Sequence, residues 1–204
     1  MPGGLAAVVL AGGASSRMGT PKALLRAPGG SETFLDRLIG ILHPHCSPVI
    51  VVLGHDADRI RAGLSRQSEA VFVVNHEYVQ GQLSSLKTGL GSVPADATGV
   101  LFTPVDYPMV RPETIARLAA EFGRQAGSPV LVIPRFQGRS GHPVCAAREI
   151  IPEFLRLPAD AQARDVVHQH AARACYVDVD DPGVLRDVDD PEAYRAELGS
   201  AEPR

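Results

Sequence analysis

Six short apolar runs, at residues 5–10, 48–53, 70–74, 99–102, 129–133 and 143–147, punctuate the chain between clusters of glycine, proline and polar residues. Each has the length of one strand. Most are rich in valine and isoleucine without polar alternation, as expected of strands buried on both faces. Between them the apolar residues take helical spacing. Phe34, Leu35, Leu38, Ile39, Ile41 and Leu42 mark one helix face, and Ile60 and Leu64 a shorter one. Leu83, Leu86 and Leu90 mark a third, and Ile115, Leu118, Ala119 and Phe122 a fourth. Strand and helix in alternation predict an α/β fold with a mostly parallel sheet covered on both faces. Pro112 and Glu113 suit the first turn of a helix running to about Ala126, with Gly127 at its end. Asp190, Pro191 and Glu192 read as the N-cap and first two residues of a closing helix. Beyond about Gly138 the alternation loosens, which predicts an antiparallel or mixed addition to the same sheet. No stretch has the composition of a linker, so residues 1–204 are expected to form a single domain.

Composition narrows the function. A net charge of −3 supplies no basic field for coating nucleic acid. Neither a basic leader nor an apolar run of membrane-spanning length is visible, so the expected compartment is the cytoplasm, with no membrane partner. Cys46, Cys145 and Cys175 are far apart and odd in number, and offer neither a disulfide framework nor a CxxC pair. Of the 20 basic residues only Lys22 and Lys87 are lysines. A retained lysine in such a chain marks a place to look for a compact ammonium rather than a guanidinium.

Open α/β sheets bind ligands beyond the C-terminal ends of their strands, so the segments after each apolar run carry the chemistry. After the first run stands Leu10-Ala11-Gly12-Gly13-Ala14-Ser15-Ser16-Arg17-Met18-Gly19-Thr20-Pro21-Lys22. Its glycines let backbone amides approach an anion, and Arg17 and Lys22 add two charges with no acid nearby. The register is neither that of a P-loop nor that of G-x-G-x-x-G. On its own, such a turn is equally a glycine-rich connection with solvated basic residues. After the fourth run, Asp106 sits in an Asp-Tyr-Pro turn, a common place for a harmless aspartate. Beside a phosphate cradle it is also where a Mg²⁺ carboxylate belongs. After the third run, Gly81-Gln82-Leu83-Ser84-Ser85-Leu86-Lys87-Thr88-Gly89-Leu90 opens a helix. Its leucines face the core, while Gln82 and Ser85, three apart, share a face. Further on come Gly138-Arg139-Ser140-Gly141-His142-Pro143-Val144 and the acidic tail Asp187-Val188-Asp189-Asp190-Pro191-Glu192. Most of the tail aspartates, among them Asp178, Asp180 and Asp181, read as a solvated loop.

Taken together these strings resemble the MobA-like NTP transferases, which build the molybdenum cofactor dinucleotide. Residues 10–22 follow the leading L-A-G-G-x-S-x-R-M-G-x-x-K signature without a gap. Asp106 matches the family's D-x-P turn, with Val105 where glycine is frequent. The stretch Gly138–Val144 resembles its G-x-P-V motif, and residues 187–192 its N-x-N-T-P-E or D-x-D-T-P-E string. The helix opening resembles the G-x-x-x-S-L-x-x-G-L of the cytidylyl-transferring branch more than the guanylyl-transferring one. The likeness runs from Leu5 to about Leu198. It implies a three-layer α/β/α nucleotide-diphosphosugar transferase fold, a Mg²⁺-dependent reaction and release of pyrophosphate from an NTP, CTP being favoured. It further implies that Leu10, Ala11, Gly12, Gly13, Arg17, Lys22, Gln82 and Ser85 hold the nucleotide. Arg17, Lys22 and Asp106 carry the catalysis, and Asp106 and Asp189 hold the metal, with Asp187 the weaker candidate. Arg139 and His142 lie by a phosphorylated acceptor, favoured to be molybdopterin, and a molybdoenzyme or its chaperone takes the product. Three alternatives stand beside this. One is a guanylyltransferase, or another transferase with a different phosphorylated acceptor; another is a nucleotide-binding regulator or cofactor chaperone without chemistry. The third, an NAD-binding Rossmann dehydrogenase, fits poorly, because the second run ends Leu53-Gly54-His55 without the acid that fold places there.

Overall fold

The computed structural model describes residues 4–124 and 130–200. In chain order the elements are β1 (Leu5–Ala11), α1 (Phe34–Leu42), β2 (Val49–Leu53), α2 (Ala57–Ala62) and β3 (Val71–Val74). Then follow α3 (Gln82–Gly91), β4 (Gly99–Pro104), α4 (Pro112–Arg124), β5 (Leu131–Phe136), β6 (Arg139–Ser140) and β7 (Val144–Ala147). The chain closes with α5 (Ile151–Arg156), α6 (Ala163–Gln169), β8 (Ala174–Asp178) and α7 (Pro191–Ser200). The expected helix end at Ala126 and Gly127, and the expected strand start at Pro129, lie outside the described residues. Leu64 falls just beyond α2 yet stays buried, so it packs as expected without being helical.

The strands form one sheet. β1 pairs in parallel with β2 and with β4, and β2 in parallel with β3. β7 joins β4 antiparallel, and β5 joins β7 antiparallel. β5 also pairs with β6 in a hairpin and with β8 in parallel. The mostly parallel α/β sheet and its mixed addition after Gly138 are therefore as the sequence pattern anticipates. Successive strand residues face opposite sides, which explains why the strands read as unbroken apolar runs. Ala7, Val9, Val51 and Leu101 pack with Phe34 and Leu38 of α1 and Ile115 of α4. Ala6, Val8, Val52 and Phe102 pack on the other face with Leu86 of α3 and Phe154 of α5. The result is a helix–sheet–helix sandwich.

The connection from β1 runs outward to β2 and β3, whereas β4 lies on β1's other side. A crevice opens where the strand order reverses, here between the ends of β1 and β4. The tail is brought back to that crevice by polar anchors. Asp181, expected in a solvated loop, is instead 2% exposed. Its carboxylate accepts from Arg111 N at 2.9 Å, Thr114 Oγ1 at 2.6 Å and Gly183 N at 2.9 Å. Beyond it, Val188 is fully buried and its amide donates to the carbonyl of Asp106 at 2.8 Å. Asp190 then caps α7, its Oδ1 accepting from Glu192 N and Ala193 N. Among the described residues no helix is long and apolar enough to cross a membrane.

Removing a carboxylate that satisfies three buried donors leaves them unpaired, at a cost of about 2–4 kcal/mol. Asp181→Ala is expected to lower the unfolding free energy by that amount in urea titration. Asp178→Ala, whose exposed carboxylate pairs with Arg135, is expected to leave the urea midpoint essentially unchanged.

Candidate active site

A cavity of about 250 Å³ opens at the C-terminal ends of β1 and β4. The loop after β1 forms one wall, with Leu10, Ala11, Gly12, Gly13, Arg17 and Lys22 all lining it. Gln82 and Ser85 of α3 form the opposite wall, and Asp106 and Asp189 close one end. The two residues placed by the acceptor lie elsewhere. Arg139 and His142 line a second cavity of about 820 Å³, which shares Leu10, Gly81, Gln82 and Pro104 with the first. Asp187 faces that second cavity and Asp189 the first. Strand-like alternation about the buried Val188 sends the two carboxylates to different chambers.

The first loop is shaped for an anion. A Cβ on Gly12 would come within 2.9 Å of Ser85 Oγ, so only glycine lets the loop close onto α3. Ser15 takes a left-handed φ of 50°. Its carbonyl accepts from Met18 N and its Oγ from Lys22 N at 3.0 Å, which curls the loop back on itself. Among the described residues the amides of Gly13, Ala14, Ser16 and Arg17 find no protein acceptor. Successive free amides in a curved loop make a concavity that favours anions. On the far wall, Gly81 has a φ of 100°, a conformation that suits glycine, and α3 starts immediately after it.

Charge converges at one end. Lys22 Nζ donates to Asp106 Oδ2 at 3.1 Å and to Asp189 Oδ1 at 2.6 Å. Arg17 reaches the other Asp189 oxygen at 3.3 Å. Burial pushes the Asp106 carboxyl above its ordinary pKa, against the pull of the Lys22 ammonium and with help from Asp189. Asp189 moves the other way, because the hydrogen bond from Lys22 outweighs its slight burial. One ammonium thus acts on two carboxylates, and depth decides the sign of each shift.

These groups fit a divalent ion. Asp106 Oδ1 is buried without a hydrogen-bond partner, an acceptor left for something else. No cluster of three or more His, Cys, Asp or Glu side chains capable of holding a metal occurs among the described residues. Two carboxylates are an incomplete set for Mg²⁺ or Mn²⁺, of the kind that substrate phosphates and water complete.

His142 is placed differently from a catalytic base. Burial lowers its pKa to about 4, so the ring is neutral at ordinary pH. It packs against Tyr107 with ring centroids 4.7 Å apart, and its Nδ1 is buried without a partner. Ser85 is 5% exposed and its Oγ accepts from Asn75 Nδ2. Lys87, the other lysine, donates to the carbonyl of Leu157 and so ties α3 to the end of α5.

Several site-forming residues escape the sequence pattern. Asn75 bonds both Ser84 and Ser85. Arg37 of α1 donates to the carbonyls of Pro108 at 2.7 Å and Val110 at 3.3 Å, fixing the turn that carries Asp106. Tyr78 lines the first cavity, its ring set edge-on to His55 at 5.9 Å. None has a recognisable motif, because each is defined by its contact partners, near in the chain for Asn75 and some seventy residues on for Arg37.

A three-layer sheet with a glycine loop and two carboxylates at its switch point is the architecture of a nucleotidyltransferase. Residues 7–174 match the MobA-like NTP transferase domain, and the chain belongs to that family. It is 26% identical over 190 residues to the molybdenum cofactor cytidylyltransferase of Escherichia coli K12, covering 92% of each chain. Over a shorter stretch of 116 residues, 54% of each chain, it is 34% identical to a protein of Mycobacterium avium named "Probable molybdenum cofactor guanylyltransferase". The crystal structure of Rv0371c from Mycobacterium tuberculosis H37Rv is 30% identical with a TM-score of 0.78, covering 96% of this chain and 98% of that one. A further structure of Rv0371c is a complex with manganese; its TM-score is 0.75 at 27% identity, covering 98% of this chain and 100% of that one.

Replacing Lys22 by methionine removes the cation that lowers both carboxyl pKa values. In a ¹³C NMR titration, Lys22→Met is expected to raise the Asp106 pKa further and to return Asp189 towards the ordinary carboxylate range. A titration of Asp106 unchanged by the substitution would contradict the arrangement.

Proposed function

We propose that the protein transfers a nucleoside monophosphate, CMP in preference to GMP, from its triphosphate to a phosphorylated acceptor, molybdopterin being favoured. The observation that carries this is the meeting of Lys22, Asp106 and Asp189 beside the glycine loop, at the border of a second and larger cavity. The small cavity takes the triphosphate and the large one the acceptor. CTP is favoured by the Gln82–Leu90 stretch of the sequence. The near-complete span shared with the E. coli cytidylyltransferase points the same way.

In this reading a phosphate oxygen of the acceptor attacks the α-phosphorus. The new bond is phosphorus–oxygen, the α–β bridging bond breaks, and pyrophosphate leaves with that electron pair. The nucleophile is already ionised at neutral pH, so no general base is needed. A neutral His142 therefore belongs to the acceptor wall, with Arg139, rather than to proton transfer. Free amides of the loop and the charges of Arg17 and Lys22 bind the β- and γ-phosphates and offset charge on the departing pyrophosphate. Gln82 and Ser85 face the base. Asp106 and Asp189 would hold Mg²⁺ or Mn²⁺, which would supply positive charge to the phosphates.

Lys22 has a double role. Without nucleotide it neutralises the two carboxylates; with a triphosphate present it would be drawn to the phosphates, leaving Asp106 and Asp189 free to hold a divalent ion. Nucleotide and metal then favour each other's binding.

Pyrophosphate release, measured with each NTP, Mg²⁺ and molybdopterin, tests the reading. CTP is expected to give the highest kcat/KM, and Asp106→Asn and Lys22→Ala are each expected to lower kcat by about 10³-fold. No release with any NTP would exclude molybdopterin as acceptor. An Asp106→Asn protein that keeps most of its activity would exclude the metal assignment.

A further inference from the structure

Asn75 lies at the end of β3, 5% exposed, where three elements of the nucleotide wall meet. Its amide donates to the carbonyl of Leu53 at the end of β2. Its side-chain Oδ1 accepts from Glu77 N at 2.9 Å. That bond fixes which way the carboxamide points, since only the oxygen can accept from a backbone amide. Both protons of Nδ2 are then directed at α3, one to Ser84 Oγ at 2.8 Å and one to Ser85 Oγ at 3.1 Å.

The two serines end up in different states. Ser84 accepts from Asn75 and spends its own proton on the carbonyls of Gly81 and Glu77, at 2.8 and 3.1 Å. Ser85 accepts from Asn75, but among the described residues its hydroxyl proton has no acceptor. Ser85 lines the small cavity and lies against Gly12 of the phosphate loop. A hydroxyl both donates and accepts; one whose accepting side is already engaged presents its donor to whatever is bound.

We infer that Asn75 is a positioning residue for nucleotide selection. By donating to Ser85 it makes that hydroxyl a fixed donor to the bound nucleotide. The inference rests on the reading of the small cavity as the nucleotide site. The matching chemistry on the ligand is an acceptor atom on the base edge, such as O2 or N3 of cytosine. Asn75→Asp reverses the polarity at nearly constant shape. Its carboxylate still accepts from Glu77 N, but now attracts the Ser85 proton away from the cavity.

The test is nucleotide binding by calorimetry with Mg²⁺ and no acceptor, using CTP and GTP. Wild type, Asn75→Asp, Ser85→Ala and the double variant are compared, with thermal melting to confirm folding. Each single variant is expected to weaken the preferred nucleotide by about tenfold. The ratio between preferred and disfavoured nucleotide is expected to fall equally in both. The double variant is expected to match the singles within about twofold, since both remove one hydrogen bond. The inference is overturned if Ser85→Ala binds as wild type does, whether or not Asn75→Asp folds. It is also overturned if the two effects multiply, or if Asn75→Asp weakens both nucleotides equally and leaves their ratio intact. A wild-type protein that binds no nucleoside triphosphate overturns both this inference and the site reading beneath it. A wild type that binds, with any of the preceding results, overturns the role of Asn75 alone.

Discussion

The contact on which the site depends is the sharing of one ammonium by two carboxylates. Two carboxylates gathered at one end of the cavity repel each other, and Lys22 offsets that repulsion by bonding both. Its Nζ is held on both sides, to Asp106 and to Asp189, so the charge is fixed rather than swept through solvent. Arginine would be a different object here, because its planar fork favours bidentate pairing with one carboxylate over a point contact with two. The scarcity of lysine in the chain acquires a physical meaning at this position. Lys87, the other one, anchors α3 to the carbonyl of Leu157.

The architecture exists to bring those three side chains together from distant parts of the chain. β1 carries the loop of Lys22, β4 delivers Asp106, and the segment after β8 returns Asp189. The return is secured by backbone and buried polar bonds rather than by a regular element. Asp181 ties the segment to the start of α4, and Val188 N bonds the carbonyl of Asp106 itself. Arg37 holds the other side of the Asp106 turn through two carbonyls. Such anchors suit a site that must be placed closely, since loops without them sample many conformations.

What was legible in the sequence follows from the range of each interaction. Six of the eight strands and α1, α3 and α4 were visible as apolar runs and helical stripes; burial on both faces accounts for those in the middle of the sheet, whereas β3, at its edge, is apolar yet partly exposed. The loop after β1 was visible because its features, close approach at Gly12 and charge at Arg17 and Lys22, fall within thirteen consecutive residues. Asp106 could be placed by its position at a strand end. The tail was read only by its string, and composition misjudged Asp181, whose burial depends on donors from α4 seventy residues earlier. Asn75, Arg37 and Tyr78 carried no signal, since an asparagine after a strand or an arginine on a helix is ordinary until its partners are known. β8 was hidden for a similar reason. It is alternately exposed, and it pairs with β5 some forty residues before it.

Two adjoining chambers share Leu10, Gly81, Gln82 and Pro104. In the proposed reading the small cavity holds phosphate and base, and the large one, lined by Arg139, His142 and Asp187, receives the second substrate. Under the same proposal Lys22 joins their chemistry by choosing between carboxylate and phosphate. That choice is most directly tested by Mn²⁺ affinity, followed by electron paramagnetic resonance, with and without CTP. The account predicts that CTP tightens Mn²⁺ binding by about tenfold or more, as expected for coupled sites. Equal affinity in both conditions would contradict it.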